Sequence, residues 1–353
     1  MAYQTGTSTG PDDLLDKLRI WLLAAGWTVN LWDDDNSTYR TWTGLVGTGK
    51  RLHVQKTAGD STVMYFNLRS VNRGVVFGDH YGTSNQYGGK YYSEITGLAL
   101  NGSTGYNVAN TWDKQPGYMQ STGGSWGVAI TELSLSAIPA YYFFQDGDTV
   151  IVCVEYQSGK FQWLAFGLLE KQGAITGGQF LSGSLNGYNP SYQLLYASSG
   201  QTKFFCRNRS GSSFDYGNGA VYFNADSVAA WRANGALGSK DEGYYYYLHF
   251  PGLEPNAGYT AGDWNTLNSF FISRAPNHYN ALAPMVPIYV LSKRANGNYS
   301  LLGWPKSIRM LNGYYYNPAE EYTLGSDVWM IFPEHSKTDT DGGNMSFAVK
   351  KVT

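Results

Sequence analysis

The stretch from residue 138 to residue 170 constrains the fold of this chain more than any other part of it. Its sequence, IPAYYFFQDGDTVIVCVEYQSGKFQWLAFGLLE, holds three apolar runs rich in aromatic and β-branched residues, separated by two short polar turns. Asp-Gly and Ser-Gly between such runs are strong signals for β-hairpins. The middle run, Val150 to Tyr156, is almost entirely apolar, which is typical of a strand covered on both faces. The stretch therefore predicts the centre of an antiparallel β-meander.

Charge and hydropathy exclude several classes of partner. Charged residues make up 15% of the 353-residue chain and the net charge is −2, so no basic field is present to attract nucleic acid. No apolar run approaches the roughly 20 residues needed to cross a bilayer, and the first residues lack a secretory signal, so we expect no membrane insertion. Two cysteines, Cys153 and Cys206, are too few to staple a chain of this size.

One amphipathic helix is predicted near the N-terminus, beginning at Pro11 and closed by Gly26. Its apolar stripe, which includes Leu14, Leu18 and Trp21, indicates a helix packed on a sheet, and the same stripe is a candidate contact with a partner. Three strands are predicted between residues 27 and 69. We therefore expect a small N-terminal α+β attachment domain, residues 1–75.

The remainder, residues 76–353, is predicted to be a mainly β, sandwich-like domain of antiparallel hairpins with long Gly- and Tyr-rich loops. The segment from residue 286 to residue 303 repeats the strand–turn–strand pattern of the opening stretch, with Asn-Gly at its turn. This echo has two explanations: a duplication, giving two similar sheets at 76–220 and 221–353, or two hairpins of similar build.

Patterns that resemble catalytic or metal sites lack the context that their chemistry requires. GLVGTGK at residues 44–50 is followed by Arg51 and a predicted strand, where a phosphate-binding loop needs Ser or Thr and a helix. GGSWG at 123–127 has no strand before it and no helix after it, so it does not predict a nucleophile elbow. The acidic runs at 33–35 and 339–341 do not complete a calcium loop, and the five histidines are scattered. We expect no catalytic residues, metal or cofactor, and keep glycan cleavage as a third hypothesis.

Aromatic residues in Gly-, Ser- and Asn-rich segments are the stronger candidates for function. Such residues stack on sugar rings, anchor protein–protein contacts, or pack internally, and the sequence leaves all three open. The candidates are Tyr81, Tyr87, Tyr91, Tyr92, Tyr106 and Trp112, together with Tyr244 and Tyr246 from a predicted strand of four tyrosines.

A series of short phrases, in order along nearly the whole chain, resembles a family of tailed-bacteriophage virion proteins known mainly as structural. The resemblance is weakest between residues 173 and 219. The phrases are Tyr3, Gly6-Thr7, Asp13-Leu14-Leu15, Gly26-Trp27-Thr28-Val29, residues 49–56, Asn67-Leu68-Arg69-Ser70, residues 100–106, Gln115-Pro116-Gly117, Tyr141-Tyr142-Phe143-Phe144, Leu302-Gly303, Pro305, Leu324-Gly325, Trp329 and Phe332-Pro333.

The resemblance implies a protein that is made in the host bacterial cytoplasm and built into the virion, in the tail or baseplate region or where fibres attach. It implies no catalytic residues and no cofactor. We expect other virion proteins as partners and a homo-oligomer, because phage tails have threefold and sixfold symmetry. A receptor-binding tail protein that grips host surface glycan through the aromatic loops is the alternative.

Overall fold

Strands dominate the computed structural model of the chain, and the predicted mainly β fold class is confirmed. The structure describes residues 2–34, 49–71, 97–103, 105–106, 120–121, 124–131, 133–188, 220–225, 232–233, 245–248, 283–293, 299–337 and 345–352. The elements in these ranges are β1 (Tyr3–Ser8), α1 (Pro11–Ala24), β2 (Thr28–Asp34), β3 (Lys50–Thr57), β4 (Val63–Val71), β5 (Gly97–Ser103), β6 (Gln120–Ser121), β7 (Gly124–Thr131), β8 (Ile138–Asp146), β9 (Thr149–Gln157), β10 (Lys160–Leu168), β11 (Glu170–Lys171), β12 (Gly177–Gly183), β13 (Leu185–Tyr188), β14 (Ala220–Ala225), β15 (Arg232–Ala233), β16 (Tyr245–Leu248), β17 (Val286–Pro287), β18 (Val290–Lys293), β19 (Tyr299–Trp304), β20 (Ile308–Asn312), β21 (Glu320–Leu324), β22 (Asp327–Pro333) and β23 (Met345–Lys351).

Four antiparallel sheets are formed by these strands. The central sheet has seven strands in the order β1-β8-β9-β10-β12-β14-β15. The N-terminal sheet has the order β13-β7-β5-β4-β3-β2, with β6 paired to β7. The C-terminal sheet has the order β17-β20-β23-β22-β21, and a small sheet has the order β11-β19-β18-β16. The predicted meander is therefore confirmed as β8, β9 and β10, and the predicted C-terminal hairpin as β18 and β19.

The middle strands of the central sheet are buried on both faces, which matches the nearly continuous apolar runs of β9 and β10. Side chains alternate across a strand, so Val150, Val152 and Val154 point to one side of β9, and Ile151 and Cys153 to the other. The first set belongs to a core shared with α1 and the N-terminal sheet. The second set belongs to a core shared with the C-terminal and small sheets. The result is three stacked β layers with two hydrophobic cores between them.

The helix begins and ends as predicted. Pro11 occupies its first position, acidic residues follow in the first turn, and Gly26 adopts a φ of +87° just after the end of the helix, where a left-handed residue is favourable. The apolar stripe faces the core between the N-terminal and central sheets, with the Trp21 ring centroid 5.5 Å from that of Phe143 in β8. The helix therefore belongs to the first core.

The predicted domain boundaries are wrong, because sheets and cores continue across them. β4, which ends at Val71, pairs with β5, which begins at Gly97, so the boundary near residue 75 divides one sheet. β1 is the edge of the central sheet and pairs with β8, so the first residues are joined to the middle of the chain. The alternative boundary at 220 likewise falls at β14, which pairs with β12.

The turn between β8 and β9 ties the layers together through polar contacts. Asp148 forms an ion pair of 3.0 Å with Lys56 of β3, from the N-terminal sheet. Asp146 accepts a hydrogen bond from the hydroxyl of Ser307, which directly precedes β20 of the C-terminal sheet. Gln145 hydrogen-bonds to the segment that follows the helix. This turn is therefore a junction of all three layers.

Candidate functional site

The helix residues proposed as a contact surface are not accessible. Leu14, Leu18 and Trp21 lie inside the first core, and their prediction as an interface is wrong. The physical reason is that an apolar helix stripe must be covered by another apolar surface, and here the N-terminal and central sheets of the same chain cover it. The outward face of the helix carries Ile20 and Leu23 instead, both exposed.

Only part of the predicted aromatic set falls on described residues. Tyr106 lies just after β5, and its side chain is half-buried. Tyr246 lies in β16, in register with Ser292 of β18, and its side chain is outside the described part of the chain. The other candidates lie outside the described residues, namely Tyr81, Tyr87, Tyr91, Tyr92, Trp112 and Tyr244.

Tyr106 borders a polar row on the outer face of the N-terminal sheet. His53, Asn67 and Asn101 are partners in register on the adjacent strands β3, β4 and β5. The side-chain amide of Asn67 donates a hydrogen bond of 2.8 Å to Oδ1 of Asn101. The Tyr106 ring stands edge-on to the His53 ring, with 5.5 Å between centroids and 82° between planes.

The burial of this row is unusual for the outer face of a sheet. His53, Asn67 and Asn101 are 1%, 2% and 1% exposed. Polar groups of this kind lose hydration on burial, and they are tolerated there when hydrogen bonds replace the lost water. The face is therefore an organised polar layer and not an ordinary solvated surface.

Two arginines occupy the neighbouring row of the same face. Arg51 in β3 and Arg69 in β4 are directly opposite each other, an arrangement that like charges disfavour. Arg51 offsets this by donating from Nε and Nη2 to both carboxylate oxygens of Asp33 in β2, at 2.5 and 2.8 Å. Burial raises the pKa of the Tyr106 phenol, the Asp33 carboxylate raises it further, and Arg51 acts in the opposite direction.

Strand alternation explains how the sequence builds this face. In β3, Leu52 and Val54 enter the first core, so Arg51, His53 and Gln55 must point outward. A signal for the site was therefore present in the sequence, since His, Asn and Arg alternate with core residues on adjacent predicted strands. We define Arg51, His53, Asn67, Arg69, Asn101 and Tyr106 as the polar face. Within it only Arg51 and Tyr106 are partly exposed, so a ligand could reach the guanidinium and phenol groups, while the buried amide and imidazole groups support them from below.

A second surface that the sequence did not indicate lies between β20 and β21. Tyr314 and Tyr315 are both exposed there, although consecutive tyrosines in a predicted β-rich segment are more often half-buried.

The GGSWG pattern at residues 123–127 does not form a nucleophile elbow. Its serine, Ser125, lies inside strand β7 and not at a turn between a strand and a helix.

Comparison with protein-family profiles gives no match for this chain, and comparison with the curated proteins gives no significant similarity. Within the described ranges, no group of three or more His, Cys, Asp or Glu side chains is placed to hold a metal ion. The described part of the chain contains no helix that is long and apolar enough to cross a membrane.

Proposed function

We propose that this chain is a structural subunit of a tailed-bacteriophage virion, in the tail or baseplate, where it docks other virion proteins or fibres. It would be made in the host cytoplasm, assembled in several copies, and have no catalytic role. The proposal begins from the ordered phrases that resemble this class of virion proteins. The observation that carries it further is where those phrases lie in the fold.

Phrases that are far apart in the sequence are neighbours in the structure. Tyr3 pairs with Phe144, and Gly6 pairs with Tyr141, so the first phrase and the Tyr141–Phe144 phrase are partner strands. The phrases at 49–56, 67–70 and 100–106 lie on the successive strands β3, β4 and β5 of the N-terminal sheet. The phrases therefore lie on paired strands of the central and N-terminal sheets, so a protein that shared them would share this framework.

The layered architecture suits a load-transmitting scaffold. Each of the two cores is built from large side chains that contact one another across layers. Trp163 of the central sheet lies 5.7 Å from Phe332 and 5.5 Å from Phe347 of the C-terminal sheet, measured between ring centroids. Densely packed interiors have low compressibility and transmit strain. The exposed apolar side chains of α1, Ile20 and Leu23, would then be available for docking.

Localisation in purified particles tests the proposal. We expect the chain in particles of the phage that encodes it, by mass spectrometry, and density for its three layers in the tail or baseplate by electron microscopy. Particles assembled without the chain should lack the neighbouring tail proteins or fibres. Absence of the chain from purified, infectious particles would overturn the proposal.

Glycan recognition is a second candidate function, favoured by the partly exposed ring of Tyr106 beside the partly exposed guanidinium group of Arg51. Planar polar side chains next to an aromatic ring are a common way to bind hydroxyl-rich ligands. On an array of bacterial glycans, binding by the native chain that is lost in Tyr106→Ala and kept in Tyr106→Phe would support this function. Equal binding by Tyr106→Ala would exclude the polar face as the glycan site.

A further inference from the structure

The first strand, β1, forms an open edge of the central sheet. Among the described strands it pairs only with β8, and it is the outermost strand on its side of the sheet. The Gln145 N–H donates to the Ala2 carbonyl at 2.8 Å, and bonded and non-bonded pairs alternate along an antiparallel ladder. The backbone N–H and C=O groups of Gln4 and Gly6 therefore point towards β8, and those of Tyr3 and Thr5 point away from it.

The outward backbone groups of β1 have the pattern that a further strand would bind. Within the described ranges, no hydrogen bond occupies the outward N–H and C=O groups of Tyr3 and Thr5. The side chains of Thr5 and Thr7 are exposed beside them. The Thr7 carbonyl accepts a hydrogen bond of 3.0 Å from Nζ of Lys17 and keeps a second lone pair. Such a row of backbone donors and acceptors is recognised by an extended polypeptide segment.

The sequence of β1 lacks the features that usually protect a sheet edge. Natural edge strands carry charged side chains or proline, or are very short. The outermost strand β21 of the C-terminal sheet carries Glu320 and Glu321, and the outermost strand β2 of the N-terminal sheet carries Asp33 and Asp34. β1 is six residues long, YQTGTS, with no charge and no proline. Of these three edges, β1 is therefore the one suited to pairing.

The charges next to β1 are neutralised within the chain. Near the end of the strand, Lys17 forms an ion pair of 2.5 Å with Asp13. Near its start, Nζ of Lys351 lies 4.9 Å from the centroid of the Tyr3 ring and forms an ion pair of 2.7 Å with Glu321. Neither cation adds unpaired charge to the edge, so two identical edges would not repel each other.

An antiparallel pair of identical strands has a two-fold axis between them. An axis at Thr5 would place Thr5 opposite Thr5 of the second copy and Tyr3 opposite Thr7 of the second copy. The outward backbone groups at these positions would then exchange hydrogen bonds, and threonines directly opposite each other form favourable cross-strand pairs. An uncharged strand meets no like-charge pair in this arrangement. The β1 edge is thus self-complementary, which a two-fold contact requires.

We propose that β1 pairs with β1 of a second copy of this chain, so that the central sheet continues through both copies. The inference rests on the proposed function for its setting, because it names the surface by which the several copies of the virion subunit meet. Such pairs can be repeated around a threefold axis, which is compatible with the symmetry expected of a tail. A contact limited to one strand pair belongs to the small, transient class of interfaces, so we expect association at roughly 100 μM and dissociation on dilution.

Sedimentation velocity of the purified full-length chain over a range of concentrations tests the inference. Thr5→Lys should weaken association about tenfold or more, because identical charges would lie directly opposite each other. Thr5→Pro should do the same by removing an outward N–H, which an edge strand tolerates. Thr5→Ala keeps that N–H and should stay within about threefold of the native chain. All three variants lose the same hydrogen bond from the Thr5 hydroxyl to the Tyr141 carbonyl, so this loss does not explain a difference between them.

A mixture of Thr5→Lys and Thr5→Glu chains tests the position of the axis. Opposite charges would face each other across it, so the mixture should associate about as well as the native chain, although each variant alone does not. The matched control is Thr323→Lys, which places the same charge on an exposed threonine of β21 and should associate as the native chain does. Circular dichroism and thermal unfolding check that each variant is folded.

Three results would overturn the inference. They are a native chain that stays monomeric up to about 1 mM, association of Thr5→Lys equal to that of the native chain, and a mixture that associates no better than its components. Sedimentation requires no virus particles, so the pairing and the virion proposal can fail separately. A chain that is monomeric in solution but present in particles would refute the pairing and leave the virion proposal standing.

Discussion

Replacing Gln145 by alanine tests whether the β8–β9 turn joins the layers of this fold. The Gln145 side chain accepts a hydrogen bond of 3.1 Å from the Trp27 indole N–H. Its own amide donates to the carbonyl oxygens of Ala25, at 3.2 Å, and Gly147, at 3.0 Å. One side chain thus connects the central sheet, the end of α1 and the start of the N-terminal sheet.

Most of the loss in the free energy of unfolding on Gln145→Ala is expected from the Trp27 indole N–H, which loses its hydrogen-bond acceptor. Trp27 is buried, so its N–H would remain in the core without an acceptor, whereas water can reach the exposed Gly147 turn. An unsatisfied buried donor costs about 1–3 kcal/mol and each lost hydrogen bond about 0.5–1.5 kcal/mol, so we expect a loss of roughly 2–4 kcal/mol in the free energy of unfolding. Urea unfolding followed by circular dichroism measures this difference.

A matched variant and a double-mutant cycle make the result specific. Gln157→Ala removes the same side chain from the other turn of the meander, where it is exposed, and should change stability by less than about 0.5 kcal/mol. A Trp27→Phe chain has no indole N–H that could lose its acceptor. In that background Gln145→Ala should therefore lower the free energy of unfolding by at least about 1 kcal/mol less than it does in the native chain. Equal costs in the two backgrounds, or a loss no larger than that of Gln157→Ala, would refute the reasoning.

Three further predictions concern the core, a close backbone approach and acid stability. Leu18→Ala should lower the free energy of unfolding by about 2–5 kcal/mol, and Leu23→Ala on the exposed face by less than about 0.5 kcal/mol; similar values by urea unfolding would contradict the buried stripe. Gly167→Ala should destabilise the fold by about 3 kcal/mol or more, because its φ is +135° and a Cβ there would lie 2.0 Å from a backbone oxygen; native-like thermal unfolding would refute this. Burial acts to raise the pKa of Asp60, but hydrogen bonds from Lys171 and a neighbouring threonine outweigh it and lower the pKa from 3.8 to about 2. This lowered pKa contributes stability above about pH 4 that is lost as the pH falls towards 2, so Asp60→Asn should flatten the fall of the urea midpoint between pH 4 and pH 2, and an unchanged profile would count against the contact.

Local patterns determined much of the framework without reference to tertiary structure. The β8, β9 and β10 strands were predictable because their turn residues and their doubly apolar runs are encoded within a few residues of each other. The ends of α1 were predictable for the same reason, since Pro11 and Gly26 act through their own backbone angles. The burial of Cys153 also follows from its place in the VIVCVEY run.

Long-range pairing decided what these local patterns left open. β1 is a polar edge strand, and the residues of its partner β8 are at least 130 positions away, so no local signal marks Tyr3–Ser8 as part of the central sheet. The predicted attachment domain failed for a related reason. An apolar helix stripe indicates that some apolar surface covers the helix, but it does not indicate which segment of the chain provides that surface.

The polar face likewise combines features that the local sequence determines with features that only the pairing of distant strands decides. The sequence by itself determined that Arg51, His53 and Asn67 alternate with core residues, so each would point to the outer face of its strand. Only the tertiary structure decided that His53 and Asn67 lie in one register with Asn101, because register depends on pairing between strands that the sequence separates. Whether an aromatic ring is exposed, as in Tyr314, or buried, as two residues later in Tyr316, depends likewise on which neighbours the fold brings to it.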